Sequence, residues 1–447
     1  MVLNDKVFKA YDIRGLYPEE VNEELAYAVG KAFAKHLSCK KVVVGHDMRE
    51  SSKSLFDSLS KGLTEMGTSV TNIGLCTTPM LNFSVAHYKY DGGIMISASH
   101  NPGKYNAFKM IAPPALQMGK GSGMEEIKEL AMGGEFTPCS DKGTIEEKDV
   151  LQDYLEHLKK FCDNINDIKI VADYGNGVGA ISAKPLLDAL PVTATHLYDE
   201  PDGTFPNHEA NPHDISNFKD LQEKVKAEGA DVGLFFDGDA DRCAIVDEKG
   251  EIVFPDIVLG AITEHRLDKY DDKRVYYDLR FTKAMKEVVE AKGGKAIMMK
   301  VGNPFYKEKL IKDGGAFGGE LSGHLMFSEN YNIDDGIFAA VMLLDVMGRT
   351  GKTMSELAAP MRKYFQTEEI NTKVKDADTV MDEAREMFKD GESIELDGVY
   401  IRFEDWWFNL RKSNTEPLVR LRIEADTEEL LAEKRKILTE MIQKHAA

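Results

Sequence analysis

The chain has 447 residues, 43% of them hydrophobic and 30% charged, and a net charge of −20. At about 100–200 residues per domain, this describes a soluble globular protein of roughly three or four domains, too long for one hydrophobic core. Nucleic acid would be repelled over most of such a surface, and an anionic ligand would need a site built from local cations and backbone N–H groups.

The longest clean apolar helical segment, Ile337 to Leu344, stops at Asp345, far short of the about 20 residues of a membrane span. Met1 to Lys6 lack the basic-then-apolar layout of a signal peptide. The five cysteines, Cys39, Cys76, Cys139, Cys162 and Cys243, contain no C-x-x-C spacing. That pattern fits a reducing cytoplasm without a disulfide frame or a zinc site.

In chain order, Lys41 to Gly45 reads as a short buried strand, Ser52 to Met66 as an amphipathic helix and Ser69 to Ile73 as a strand. A further apolar run, Gly93 to Ile96, is stopped by Pro102 after the loop that follows it. A second set begins with a strand at Ile168 to Ala172 and a helix over Val178 to Leu190, which Pro185 interrupts or kinks. Asp231 to Phe236 is its next clear strand. A third set begins near Pro255, with strands at Val275 to Asp278 and Ala296 to Val301 and a helix over Gly336 to Met347. Such alternation predicts βαβ units and parallel or mixed sheets. The last 80 or so residues differ. Strand-like Tyr400 to Phe403 and Leu418 to Ile423 lie between helical Ala377 to Lys389 and Glu428 to Lys444, a small α+β domain with its own core. The expected domains are 1–146, 147–251, 252–366 and 367–447.

Four loops carry chemistry. The first, Ser97 to Pro102, holds Ser99 at the end of an apolar strand, with His100 beside it and Lys109 ten residues on. A serine hydroxyl needs a base or electrostatic help to act as a nucleophile. A lysine ammonium can stabilise transferring charge or donate a proton. No Gly-x-Ser-x-Gly elbow is present, which argues against an α/β-hydrolase triad here. The second loop, Asp237 to Arg242, sets Asp237, Asp239 and Asp241 at alternate positions straight after a strand. Three carboxylates so spaced converge on one hard cation, and oxygen-only ligation favours Mg²⁺ over zinc. The third, Gly318 to His324, places Glu320 and Ser322 two residues apart among glycines, able to hydrogen-bond sugar hydroxyls. The fourth, Arg411 to Pro417, concentrates Arg411, Ser413, Asn414 and Thr415 in one turn, a phosphate cradle in an acidic protein.

With these four motifs, the chain resembles the α-D-phosphohexomutase family end to end, most closely its phosphomannomutase/phosphoglucomutase branch. Supporting matches are Tyr11 to Gly15, Gly45 to Arg49, Phe205 to His208 and Asn332 to Gly336. The resemblance implies three similar α/β domains with mixed sheets plus a smaller C-terminal α+β domain around a central cleft. It implies that Ser99 is carried as a phosphoserine, with Ser99, Asp237, Asp239 and Asp241 as the Mg²⁺ ligands. Phosphoserine would donate to a hexose 1- or 6-phosphate of mannose or glucose, giving a bound hexose 1,6-bisphosphate, which also serves as activator. Glu320 and Ser322 would bind sugar hydroxyls, with Tyr11 and Arg280 near the substrate. Arg411, Ser413, Asn414 and Thr415 would hold the phosphate that is not reacting. Arg14, His100, Lys109, Arg242 and His324 would be the charged or proton-transfer groups. The implied partner is a small phosphosugar, with no nucleic acid and no membrane, in a cytoplasmic monomer or homodimer. The fourth domain is expected to close on substrate, because water reaching the phosphoserine would turn the enzyme into a phosphatase.

The sequence departs from the family pattern at Ala107, Ala240 and Leu321, and at Asn303, which stands where histidine is frequent and takes no catalytic assignment. Arg280 stands where lysine is frequent. A phosphoglucosamine mutase is the nearest rival, and Tyr105 to Lys109 and Leu321 argue against it. A Mg²⁺-dependent sugar phosphatase is a second rival, which would have no need of Arg411 to Thr415.

Overall fold

The computed structural model describes residues 4–133, 135–137, 139–413 and 418–446. Asn414 and Thr415 of the fourth loop lie outside them.

Four sheets follow one another along the chain. In the first, Lys41–His46 pairs in parallel with Ser69–Leu75 and Gly93–Ile96, and Tyr105–Ala112 runs antiparallel between Gly93–Ile96 and Ile13–Leu16. In the second, Lys169–Asp173 pairs in parallel with Thr193–Leu197 and Val232–Phe236, and Cys243–Asp247 runs antiparallel to the latter. In the third, Arg274–Asp278 lies parallel to Lys295–Met299 and Phe317–Gly319, followed by antiparallel Leu325–Phe327. The fourth sheet is antiparallel throughout. The sheets are thus mixed in the first three modules, as the alternation of strand and helix predicts.

The first three modules share one device. In each, a strand parallel to its inner neighbour turns through a short loop into an antiparallel strand. Those loops are the serine loop after Gly93–Ile96, the aspartate loop after Val232–Phe236 and the glutamate loop after Phe317–Gly319. Each lies at the carboxyl end of a parallel strand, where open α/β sheets place their ligands. The strands entering all three loops are fully buried, so the scaffold is rigid where the chemistry begins.

Helix ends follow local rules. Asp335 caps Gly336–Thr350, its carboxylate accepting from Ile337 and Phe338 N–H. Thr77 caps Thr78–Tyr88, with Pro79 in the first turn. The helix Gly179–Asp188 contains Pro185 and ends earlier than the apolar pattern suggests.

The core is less divided than chain length implies. One continuous cluster joins helix Thr78–Tyr88 of the first module to the second and third. Phe83, Tyr154, His157, Tyr331 and Phe338 meet there. Tyr154 OH donates to Asp335 Oδ2 at 2.8 Å, and His157 Nε2 bonds Asn330 Oδ1 at 2.9 Å. The C-terminal module keeps a separate core. It meets the third through a small cluster of Leu279, Tyr400 and Trp407, with Trp407 Nε1 and Lys283 N both donating to Glu424 Oε1.

Phe338→Ala opens a cavity under the shared aromatic cluster and is expected to cost about 3–5 kcal/mol. Both tryptophans of the chain, Trp406 and Trp407, lie in the C-terminal module. Denaturation followed by far-UV circular dichroism should therefore shift further than the same transition followed by tryptophan fluorescence.

Candidate active site

The serine loop is held by its own module. Ser99 sits at φ +52°, a left-handed conformation that disfavours a residue with a Cβ. Such a conformation persists only where the surroundings over-determine it. Arg49 does so. Its guanidinium donates to the carbonyls of Pro102 (2.7 Å), Tyr105 (3.0 Å), Ser99 (2.9 Å) and Asn101. Asp47 holds Arg49 in turn, at 2.9 Å, and accepts from Ser52. Arg14 braces the other side, donating to Ala98 O at 3.2 Å and to Asn101 Oδ1, while Asp12 pairs with it.

The Ser99 hydroxyl donates to Asp237 Oδ2 at 2.9 Å, lies 3.2 Å from His100 Nδ1 and accepts from Arg242 Nη2 at 3.2 Å. Two loops from two modules therefore meet at this oxygen. Gly238 permits the approach: a Cβ there would stand 2.5 Å from the Ser99 carbonyl oxygen.

Asp237, Asp239 and Asp241 are buried, with carboxylate oxygens within 4.8 Å of one another. Such a cluster needs cations. Lys109 Nζ donates to Asp239 Oδ2 (2.6 Å) and Asp241 Oδ2 (2.7 Å), and Arg242 pairs with Asp237 at 2.6 Å. Thr78 adds a hydroxyl to Asp239 Oδ2. Burial pushes the Asp237 carboxyl up from its ordinary value, and Asp241 and Asp239 push the same way against Arg242. Burial opposes the Lys109 ammonium, but Asp239 and Asp241 outweigh it and keep its pKa high. Asp239 Oδ1 and Asp241 Oδ1 are buried without a hydrogen-bond partner. Asp241 Oδ1 has only the longer ion-pair contacts to Arg242 Nε (3.6 Å) and His324 Nδ1 (3.7 Å), and an all-oxygen set with two carboxylate oxygens free of hydrogen bonds fits a hard divalent metal. Ala240 in this loop stands at φ +58°. The alanine in place of glycine therefore carries a left-handed penalty of about 1–2 kcal/mol.

The two imidazoles differ. Burial and the Arg242 guanidinium hold His100 well below its ordinary pKa, and Arg242 Nη2 donates to its Nδ1, so it is neutral. His324 suffers the same burial, but Asp241 and Asp334 raise it. His324 Nδ1 lies 3.0 Å from Asp334 Oδ2, and Lys307 backs Asp334 from the other side. Asn303 shares Asp334 and lies 3.3 Å from His324 Nδ1.

The glutamate loop is a tight turn: Glu320 N donates to His324 O, and Gly323 N to Glu320 O. Glu320 Oε1 accepts from Gly302 N at 3.1 Å, and Ser322 Oγ is buried without a hydrogen-bond partner. Arg280 is fastened by Asp278, lies 3.8 Å from Glu320 and reaches Glu369 at 3.1 Å. Arg411 meets the same Glu369 at 2.9 Å. The Tyr11 ring packs edge-on to Phe305, next to Gly302. Ser413 lies at the end of its strand, its N–H donating to Leu418 O.

The four described modules carry these loops in the order of a known architecture. The chain matches the phosphoglucomutase/phosphomannomutase alpha/beta/alpha domain I over residues 5–137, domain II over 152–250, domain III over 254–364 and the C-terminal domain over 369–440. The chain belongs to the phosphoglucomutase/phosphomannomutase family. It is a hexose-phosphate mutase, an enzyme that relocates phosphate on a sugar.

A phosphomannomutase of Methanocaldococcus jannaschii is 38% identical over 444 residues, 98% of each chain. A protein of Xanthomonas campestris named phosphohexose mutases is 37% identical, covering 96% of this chain and 97% of its own. The crystal structure of a phosphoglucomutase/phosphomannomutase family protein from Burkholderia thailandensis superposes with a TM-score of 0.91 at 31% identity, covering 99% of this chain and 98% of that one. Among the described residues of this phosphohexomutase, no helix is long and apolar enough to cross a membrane.

The structure brings Ser99, His100, Lys109, Asp237, Asp239, Asp241, Arg242 and His324 into one connected cluster, with Arg14 bracing the serine loop. Tyr11, Arg280, Glu320, Ser322 and Arg411 border it. Sequence reading did not find Thr78, His213 or Glu369. Thr78 looks like a helix start, and Glu369 like a solvated acid in Glu368-Glu369. His213 accepts from Arg242 Nη1 at 3.0 Å, and burial with Arg242 lowers its pKa to about 3. Arg49 appears in a motif, but nothing local reveals that it holds four carbonyls.

Arg49→Lys removes that fork while keeping the charge. The expected result is a kcat lower by about 100-fold, the scale of a small misplacement of a reacting group, with KM changed little, as steady-state assay would show.

Proposed function

We propose that this mutase interconverts hexose 1-phosphate and hexose 6-phosphate, of mannose, glucose or both, through a phosphoserine at Ser99 and a hexose 1,6-bisphosphate intermediate. The observation that carries the reading is the Ser99 hydroxyl. It is held in a strained loop, hydrogen-bonded to a buried aspartate triad and faced by Arg242.

In the first transfer, the free sugar hydroxyl attacks the phosphorus on Ser99 Oγ. The new P–O bond forms to the sugar as the bond to Oγ breaks, and the hydroxyl proton passes to a base of the site. The bisphosphate then reorients and returns its other phosphate to Ser99 by the reverse step. Free hexose 1,6-bisphosphate loads Ser99 at the start.

Mg²⁺ would be held by Asp237, Asp239 and Asp241 with an oxygen on Ser99. Bound there, it would neutralise phosphate charge and polarise the P–O bond. Lys109 is kept protonated by its two aspartates, so it acts by charge on the transferring group. Arg242, already on Ser99 Oγ, supports the oxygen that leaves. His324 turns Nδ1 to Asp334, which leaves Nε2 to hold or pass a proton. Glu320 and the unpartnered Ser322 hydroxyl would take sugar hydroxyls in both orientations. Arg411, Ser413, Asn414 and Thr415 would grip the non-reacting phosphate, whose binding energy positions the reacting end. The C-terminal module would close over substrate about the junction at the Leu279–Tyr400–Trp407 cluster, a reading supported by its having a core separate from that of the other three modules.

Ser99→Ala is expected to abolish nearly all turnover while calorimetry still shows substrate binding, and intact-mass analysis of the native enzyme should show one added phosphoryl group that this variant lacks. Retained turnover removes Ser99 from its role. Chelation of divalent metal is expected to stop turnover and added Mg²⁺ to restore it. A coupled assay with mannose, glucose and glucosamine 1-phosphates, each with catalytic bisphosphate, should favour the first two. A preference for glucosamine would assign a different sugar.

A further inference from the structure

Arg411 and Arg420 stand directly opposite each other on the paired strands Trp406–Lys412 and Leu418–Ala425. Like charges so placed repel. Their side chains are 12% and 30% exposed, and that of Arg280, reaching in from the third module, is 7% exposed. One carboxylate serves all three. Glu369 Oε2 accepts from Arg411 Nη2 at 2.9 Å and from Arg280 Nη1 at 3.1 Å, and Oε1 accepts from Arg420 Nη1 at 2.9 Å. Glu369 lies just before strand Ile370–Lys373, where the chain passes into the C-terminal module. Burial pushes its carboxyl up, but Arg411 and Arg280 outweigh that and hold it down at about 2, so it is an anion at any working pH.

The arginines are not saturated. Arg411 Nε and Arg420 Nε are buried with no hydrogen-bond partner. Buried donors without an acceptor are costly, and here two of them sit on guanidiniums already gathered around an anion. A carboxylate offers two oxygens, whereas a phosphate monoester offers three to the same planar forks.

We propose that Glu369 is an internal stand-in for the distal phosphate: it occupies the Arg280–Arg411–Arg420 cluster between substrates, and the phosphate of a hexose phosphate displaces it from Arg411 and Arg420. This rests on the reading of Arg411 as a phosphate ligand. The reaction gives the device a task. The bisphosphate must release one phosphate from the clamp and return with the other, and each release would leave Arg411 and Arg420 without an anion, whereas Arg280 keeps Asp278. A tethered carboxylate that moves back onto them lowers the cost of letting go, and so keeps a strongly cationic clamp from holding the intermediate too tightly.

The test is Glu369→Gln, which keeps the shape and removes the charge, compared with Arg411→Ala by steady-state kinetics on a hexose 1-phosphate. Glu369→Gln is expected to lower KM about tenfold, the scale of one hydrogen bond to a charged group, and to lower kcat because release slows. Inorganic phosphate should raise the melting temperature of this variant more than that of the native enzyme. Should Glu369→Gln fold poorly, Glu369→Asp, which keeps the charge but shortens the reach, should shift KM the same way by less. An unchanged KM in Glu369→Gln overturns the proposal. A raised KM also overturns it, because Glu369 would then be positioning the arginines for phosphate. Arg411→Ala separates the two readings. If it raises KM while Glu369→Gln has no effect, the stand-in alone fails. If it leaves KM unchanged, Arg411 is not a phosphate ligand and both readings fail.

Discussion

Three aspartates buried within reach of one another cannot all stay ionised without cations, and this chain takes those cations from two different modules. Lys109 comes from the first sheet and lies across Asp239 and Asp241 of the second. Arg242 comes from the aspartate loop itself and faces Asp237 and Ser99. Breaking such a buried pair leaves an uncompensated charge and costs about 3–5 kcal/mol. The first and second modules are therefore bound to one relative placement, and the shared apolar core beneath them enforces the same placement from the other side.

That placement explains the division of labour in the fold. The modules that hold the reacting oxygen, the aspartates and the glutamate loop pack into one body around Phe83, Tyr154 and Phe338. The module that carries the arginine clamp keeps its own core and touches that body through a small cluster and a few polar links. Chemistry that needs fixed atoms sits on the rigid part, and binding that must release a reorienting intermediate sits on the part with fewer attachments. Glu369 lies at the junction between them, which is where an anion shared by arginines of both parts has to be.

Electrostatic contrast supplies the rest. The net charge is strongly negative, yet the site gathers Arg14, Lys109, Arg242, Arg280 and Arg411 with their carboxylates. Each cation is held by a named acid, so the cluster is stable before any phosphate arrives. His100 and His324 are driven in opposite directions, His100 down by burial and Arg242, His324 up by Asp241 and Asp334 against its burial. Titratable groups driven apart in this way mark sites of proton handling.

Much of this was legible in the sequence because the informative features are local. The serine and aspartate loops each follow an apolar strand, and the residues of each loop lie within a few positions of one another, so spacing marks them as candidates and their occurrence together in one chain gives them their meaning. The separate C-terminal core was legible for the same reason. Other features were decided only by the tertiary structure. Thr78 reaches Asp239 across 161 positions of sequence, Arg49 meets carbonyls more than 50 positions away, and Glu369 is brought to Arg280 from 89 positions off. The strain at Ser99 and Ala240 is likewise a property of the folded backbone. A residue type shows which chemistry a side chain can do, but whether a threonine caps a helix or touches an aspartate, or whether a glutamate is solvated or holds three arginines, depends on neighbours that only packing supplies.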